Sequence, residues 1–228
     1  MSAHPLAGAV VAVVGASGAL GSRIARGAAG RGADLVLVGR DATRLRAVST
    51  AGLVVVGDLS DATLGERVVA TAGEHHGRLD GVVNAAGVVA FGPIVDTDDA
   101  VLEELFLTNV LGPLWLTRRV APALADSRGF LVQLSAVVAE QPLPGMAGYA
   151  ASKAALTGAD RALAKELRRS GIRVLDVRPP HTETGLADRP LASVAPRLPV
   201  GLDPDEVARR ILDAIEEGRS ELASTDFG

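Results

Sequence analysis

Cysteine is absent from this 228-residue chain. That excludes disulfides, thiol nucleophiles and cysteine-ligated metals, and fits an intracellular protein. Histidine is scarce too: His4, His75, His76 and His181 are the full set, too scattered to suggest a metal site. His75 and His76 read as a solvated helix end. The chain also lacks any basic block; 27 acids and 23 bases are mixed along its length for a net charge of −4. Nucleic acid is therefore excluded as an expected partner. No apolar run reaches membrane length, and the N-terminal stretch Leu6–Leu20 is glycine-broken and carries no positive flank, so it is neither a signal sequence nor a span. A soluble, cytoplasmic protein with no membrane partner is expected. Lysine is rarest among the charged residues: every cation but Lys153 and Lys165 is an arginine, and Tyr149 is the single tyrosine.

With 48% hydrophobic residues and no linker composition, residues 1–228 fit one domain with a sizeable core. Short valine-rich runs at Val10–Val14, Leu35–Val38, Leu53–Val56, Gly81–Asn84, Phe130–Leu134 and Val174–Val177 read as buried strands. Helical periods lie between them, at Ala19–Gly30, Ala42–Ser49, Leu64–Glu74, Val101–Ala125 and Tyr149–Ser170. A last helix, Asp205–Glu217, precedes a strand near Glu221–Ser224. Such alternation predicts a doubly wound α/β fold, a parallel sheet with helices on both faces. Pro179–Gly201 holds five prolines and no sustained period, and reads as a loop or lid.

Tyr149 and Lys153 stand four residues apart, on one face of a predicted helix. A free phenol titrates near 10 and is a poor acid or base at neutrality; a neighbouring ammonium lowers that value. Lysine supplies a compact charge where arginine would not. The pair therefore points to a tyrosine acid/base group. At the other end of the chain the first strand runs into Gly15-Ala16-Ser17-Gly18-Ala19-Leu20-Gly21 and then a helix. Glycines in that place let the backbone approach a pyrophosphate, and the helix start offers free N–H groups.

These elements together resemble the short-chain dehydrogenase/reductase family. The resemblance rests on Gly15-x-x-Gly18-x-x-Gly21, Asn84-Ala85-Ala86-Gly87 after the fourth strand, Asn109 in a long helix, Ser135 ending the fifth strand and Tyr149-x-x-x-Lys153. It covers essentially the whole chain. It implies an NAD(P)(H)-dependent oxidoreductase with about seven strands in a Rossmann-type sheet, usually a homodimer or homotetramer. By the same resemblance Gly15, Ser17, Gly18, Ala19, Leu20 and Gly21 hold the cofactor, Asp58 with Leu59 contacts the adenine, and Asn84 to Gly87 line the cleft. Pro179 and Thr184 match an element beside the nicotinamide, where Pro180 replaces the usual glycine. Tyr149 exchanges a proton with the substrate oxygen, Lys153 tunes it and holds the ribose, Asn109 anchors a relay water, and Ser135 polarises the carbonyl. Longer members of the family more often carry this glycine spacing.

Two positions decide finer points. Gly39 occupies the tip of the second strand, where an NAD-selective pocket wants an acid, and Arg40 follows. A guanidinium there suits the 2′-phosphate of NADP(H), which is expected over NAD(H). Asp41 reads as a helix cap; were it a ribose ligand, NAD(H) would be favoured. Counted without gaps from Tyr149 or Asn109, the family's usual serine falls on Ala136, one residue past Ser135. Successive strand residues face opposite ways, so either the flanking turns absorb the offset and Ser135 faces the site, the reading adopted here, or the role is vacant. Mostly apolar segments Val88–Pro93, Val137–Met146 and Pro179–Pro199 suit a weakly polar ketone or secondary alcohol. Arg189 and Arg197 read as solvated. A dinucleotide-binding regulatory or scaffold protein is the competing reading, with Ala136 as its support; an epimerase or dehydratase on the same fold is a third.

Overall fold

The computed structural model describes residues 5–49 and 51–228, so His4 lies outside them. Parallel strands covered on both faces must be apolar throughout, and β1 (Val10–Val14, VVAVV) is buried along its whole length. It pairs with β2 (Asp34–Gly39) on one side and β4 (Gly81–Asn84) on the other. With β3 (Leu53–Val56), β5 (Phe130–Leu134), β6 (Arg173–Val177) and β7 (Glu221–Leu222) they form one parallel sheet of seven strands, ordered β3-β2-β1-β4-β5-β6-β7. The order reverses between β1 and β4. A crevice opens there beyond the strand ends, the general position of ligand sites in such sheets.

Helices α1 (Ala19–Gly30), α2 (Ala42–Arg46) and α7 (Pro204–Glu216) pack on one face, with Ile24, Leu45 and Ile211 in the core beneath them. Helices α3 (Leu64–His76), α5 (Gly112–Ser127) and α6 (Ala147–Glu166) cover the other, over Leu64, Leu116 and Leu131. A third apolar cluster, including Val89, Phe91, Met146 and Tyr149, lies past the strand ends beside the crevice. Helix ends follow the local sequence. Asp41 accepts hydrogen bonds from the N–H groups of Thr43 and Arg44, capping α2, and Asp203 does the same for Asp205 at the start of α7. Gly77 and Gly171 take the left-handed conformation that ends α3 and the turn after α6.

Three elements depart from the periodicity. The single helix expected over Val101–Ala125 is broken: α4 (Asp99–Phe106) passes into a wide π turn at Leu107–Leu111 before α5 begins. Pro113 stands four residues after Asn109 and has no N–H to return to the Asn109 carbonyl. The backbone widens instead, with Gly112 N–H bonding Leu107 O. Helix α2 stops at Arg46, short of Ser49, and β7 is two residues long before a 3₁₀ turn at Ser224–Phe227. The segment Pro179–Gly201 forms neither helix nor strand and is held by a bridge between Thr182 and Leu202.

Candidate active site

A cavity of about 530 Å³ runs along the crevice from the glycine turn to the segment Pro179–Gly201. At the end of the cavity beside β1 the backbone turns at Gly15, whose φ of 77° suits glycine alone. A Cβ at Gly15 would stand 2.8 Å from Ala86 N, and one at Gly21 only 2.2 Å from the Gly15 carbonyl oxygen. Two backbone segments and the start of α1 are therefore packed with no room for side chains. Helix α1 has no side-chain cap, and its first-turn N–H groups have no intrahelical acceptor. Gly18, Ala19, Leu20 and Gly21 line the cavity at that point. The turn fits the pyrophosphate of a dinucleotide.

Beyond the turn the rim carries two guanidinium groups. Arg40 is 82% exposed and lies 3.7 Å from the Asp58 carboxylate, whose other oxygen accepts from Ser60 N and Oγ. Arg44, one helical turn later, donates to the Ser17 carbonyl at 3.0 Å and so spans the glycine turn. A Cβ at Gly39 would sit 3.5 Å from Ser17 Oγ, and no acid occupies that strand tip. Asp41 is committed to capping α2.

The chemical end is assembled by α6 against β5 and the segment after β4. Tyr149 and Lys153 both face inward and are almost wholly buried. Lys153 Nζ donates to the Leu134 carbonyl at 2.9 Å. Asn109, turned inward on the π turn and buried, donates through Nδ2 to Val88 O (2.9 Å) and Ser152 Oγ (3.1 Å), and accepts from Val88 N at 2.9 Å. Its side chain clips three elements together. Between Asn109 and Lys153 lies Gly87, where a Cβ would come within 3.2 Å of Asn109 Oδ1 and 3.3 Å of Lys153 Nζ. Asn84 acts one layer behind: it donates to Gln133 Oε1 at 2.8 Å and accepts from Ala86 N, fixing the turn that approaches Gly15.

Burial decides the protonation of the pair. It pushes the Tyr149 phenol up to about 12, with no opposing influence resolved. It pulls the Lys153 ammonium down to about 8, against the carboxylates of Asp160 and Asp176, which hold the proton on. With the ammonium on Leu134 O, the phenol is not lowered as the spacing suggested; it stands as a protonated donor.

The serine expectation needs correction. Ser135 borders the cavity, but its hydroxyl donates to the Lys153 carbonyl at 2.9 Å and accepts from Thr157 Oγ1 at 2.9 Å. The neighbouring Ala136 instead packs with the apolar cluster that holds Tyr149. Ser135 N still bonds Val177 O in the ladder, so the strand keeps its alternation through this position.

Of the residues singled out from sequence, Gly15, Ser17, Gly18, Ala19, Leu20, Gly21, Arg40, Asp58, Leu59, Ala85, Ala86, Gly87, Ser135, Tyr149, Lys153, Pro179 and Thr184 all line this cavity, whereas Asn84 and Asn109 support it from behind. Arg44, His181 and the hydrogen-bonded pair Glu104 and Thr108 were missed. Arg44 follows Arg40 at helical spacing and was legible; the other three depend on tertiary placement. Arg189 lies on the cavity wall, its guanidinium bonded to Gly185 O and Thr184 O. Among the described residues no group of histidines and carboxylates is placed to hold a metal.

The family model of the short chain dehydrogenases matches residues 9–192. A dehydrogenase/reductase, SDR family member 7B, of Danio rerio is 31% identical over 240 residues, spanning 96% of this chain and 78% of its own. A short-chain dehydrogenase from Streptomyces avermitilis superposes with a TM-score of 0.83 at 28% identity, over 96% of this chain and 90% of its own. One from Burkholderia cenocepacia, solved with NADP, gives 0.85 at 24% identity over 97% and 90%. The family match over most of the chain, the relatives and the shared fold agree, and the chain belongs to the short-chain dehydrogenase/reductase family of NAD(P)-dependent oxidoreductases.

Proposed function

We propose that this protein interconverts a ketone and a secondary alcohol with NADP(H), using Tyr149 as the proton donor and acceptor. The observation that carries the reading is the convergence of Tyr149, Lys153 and the glycine turn on one cavity rimmed by Arg40 and Arg44. Gly15 to Gly21 would hold the pyrophosphate with backbone N–H groups, and the two guanidinium groups would take a 2′-phosphate that a carboxylate would repel. The nicotinamide, when bound, supplies or accepts the hydride.

The chain's own residues manage the proton. Tyr149, kept protonated by burial, gives its proton to the carbonyl oxygen in the direction of reduction. Lys153, charged at neutrality, supplies the positive field that makes the resulting phenolate tolerable; the phenolate then takes a proton from Lys153, and the amine so formed is re-protonated from solvent past Asn109. Val88, Phe91, Val138, Leu143, Met146 and Leu186 form an apolar wall that excludes water and suits a weakly polar substrate.

A dinucleotide-binding regulatory protein is the second reading, favoured by one observation: the Ser135 hydroxyl is spent on α6. Fluorescence titration with NADPH and NADH, combined with turnover of a carbonyl panel by the unmutated protein and Tyr149→Phe, separates the two. The enzyme reading expects tighter NADPH binding and a loss of at least ~10³ in turnover in Tyr149→Phe with cofactor affinity retained. Equal or tighter NADH binding overturns the role of Arg40. Turnover that survives Tyr149→Phe overturns the acid/base assignment.

A further inference from the structure

Besides Ser152, which is bonded to Asn109 and to Tyr149 O, the inward face of α6 carries four polar side chains: Tyr149, Lys153, Thr157 and Asp160. The first two belong to the reaction proposed above, and Thr157 is bonded to Ser135. Asp160 is unaccounted for. It is 1% exposed, and neither of its carboxyl oxygens has a hydrogen-bond partner among the described residues. An ionised carboxylate so placed costs several kcal/mol, and no structural gain offsets it.

Among the described residues no cation forms an ion pair with Asp160; Lys153, two turns earlier on the same buried face of α6, is the cation whose charge reaches it, though its ammonium is bonded to Leu134 O. Asp176 on β6 is buried, receives Arg178 Nη1 at 2.7 Å and lies 3.3 Å from Thr157 Oγ1. Arg178, also 1% exposed, is already shared with Glu140 on the turn after β5 and Glu221 on β7. One guanidinium thus faces three carboxylates and forms no ion pair with Asp160. The other charged groups nearby do not relieve it. Arg161 on the same helix and Arg168 and Arg169 on the turn that follows α6 are exposed, as are Asp99 and Glu103 on α4. Glu104 on α4 is bonded to Thr108, and the π turn against α6 brings no charged group.

We propose that Asp160 is a positioning residue for the proton on Lys153: it is a neutral carboxylic acid at neutral pH and becomes the counter-charge of the Lys153 ammonium as the medium turns alkaline. The pair exchanges one proton between two states of equal total charge, carboxylic acid with amine and carboxylate with ammonium. When a proton leaves the pair to solvent, the ionised Asp160 favours keeping the remaining one on Lys153. Burial together with the negative charge of Asp176 raises Asp160 to about 8, and Lys153 pulls the other way. The consequence is a Lys153 that stays cationic over a wider pH range than its burial alone allows.

The test is Asp160→Asn, which keeps the shape and removes the charge. A carboxyl raised in the folded state binds its proton there while the unfolded chain has lost it, so it weakens the unmutated fold progressively from about pH 4 to about pH 8. Asp160→Asn is therefore expected to gain thermal stability over the unmutated protein across that window. In turnover, its alkaline limb moves to lower pH by about one unit, a tenfold loss in the proton affinity of Lys153. A stability difference that does not change with pH, or an alkaline limb that stays in place, overturns the proposal. Should the variant fail to fold, infrared spectroscopy of the unmutated protein decides. A protonated-carboxyl band at neutral pH that fades through about pH 8 supports it, and no such band overturns it. The inference rests on Tyr149 and Lys153 forming the acid/base pair. Turnover that survives Tyr149→Phe removes that footing, whereas the stability and infrared readouts judge Asp160 by themselves.

Discussion

Single residues set the chemistry, and the most consequential is a missing hydroxyl. Ala136 stands beside Tyr149 in the apolar cluster while Ser135 turns its oxygen to α6. A donor aimed at the developing oxyanion is worth ~10² or more in rate. Ala136→Ser is therefore expected to raise kcat on a carbonyl substrate by about two orders of magnitude with little change in cofactor affinity, read by steady-state kinetics. The tyrosine and lysine were legible because each is rare and their spacing has one physical meaning on a helix. Serine or alanine was not, because a count along the chain gives the position while only the register of β5 against β6 gives the face. The protonation of Tyr149 was equally out of reach: spacing implies a lowered phenol, and burial reverses it.

At the scale of elements, the π turn is the feature that periodicity cannot show. Apolar spacing across Val101–Ala125 is continuous, yet Pro113 denies the Asn109 carbonyl its usual donor and the helix widens where Asn109 must turn inward. The side chain then satisfies both backbone groups of Val88 and holds Ser152. Asn109→Ala leaves those groups unpaired in a largely buried place. Urea unfolding is expected to show a loss of roughly 2–4 kcal/mol, since each orphaned group costs about 1–3 kcal/mol. The glycine turn shows the opposite case. Its three glycines were visible as letters, and the structure supplies their reason: at Gly15 and Gly21 a methyl group would meet backbone.

For the whole molecule, the alternation of strands and helices was enough to foresee one parallel sheet with helices on both faces. What alternation left open was which loops would meet over the crevice. That depends on the strand order, with the reversal between β1 and β4 bringing Gly15 next to Ala86 and β6 delivering the lid. Among the described residues no helix is long and apolar enough to cross a membrane. Because the cavity gathers the glycine turn, the segment after β4, α6 and part of Pro179–Gly201, a ligand bound there would touch all four at once. NADPH at about a hundred times its Kd is expected to stabilise the fold by ~2.7 kcal/mol, a rise of roughly 5–10 °C in the thermal midpoint by calorimetry. No shift at saturating NADPH or NADH would contradict the cofactor assignment.

The segment Pro179–Gly201 is tied off at its neck: Leu202 N donates to His181 O and Leu202 O receives Glu183 N, while Gly201 N donates to Glu183 Oε1. Further along, Leu191 and Ala192 are laced to Val89 and Phe91. A loop closed at its base by its own hydrogen bonds transmits little of its internal change to the sheet, and each doubling of its length adds only ~0.6 kcal/mol of closure entropy. Apart from Leu191 and Ala192, whose backbone bonds tie it to Val89 and Phe91, the segment between Thr184 and Val200 therefore amounts to an exchangeable cassette. Its sequence and length can be rewritten to suit a different substrate while the sheet and the cofactor cradle carry on as a fixed chassis.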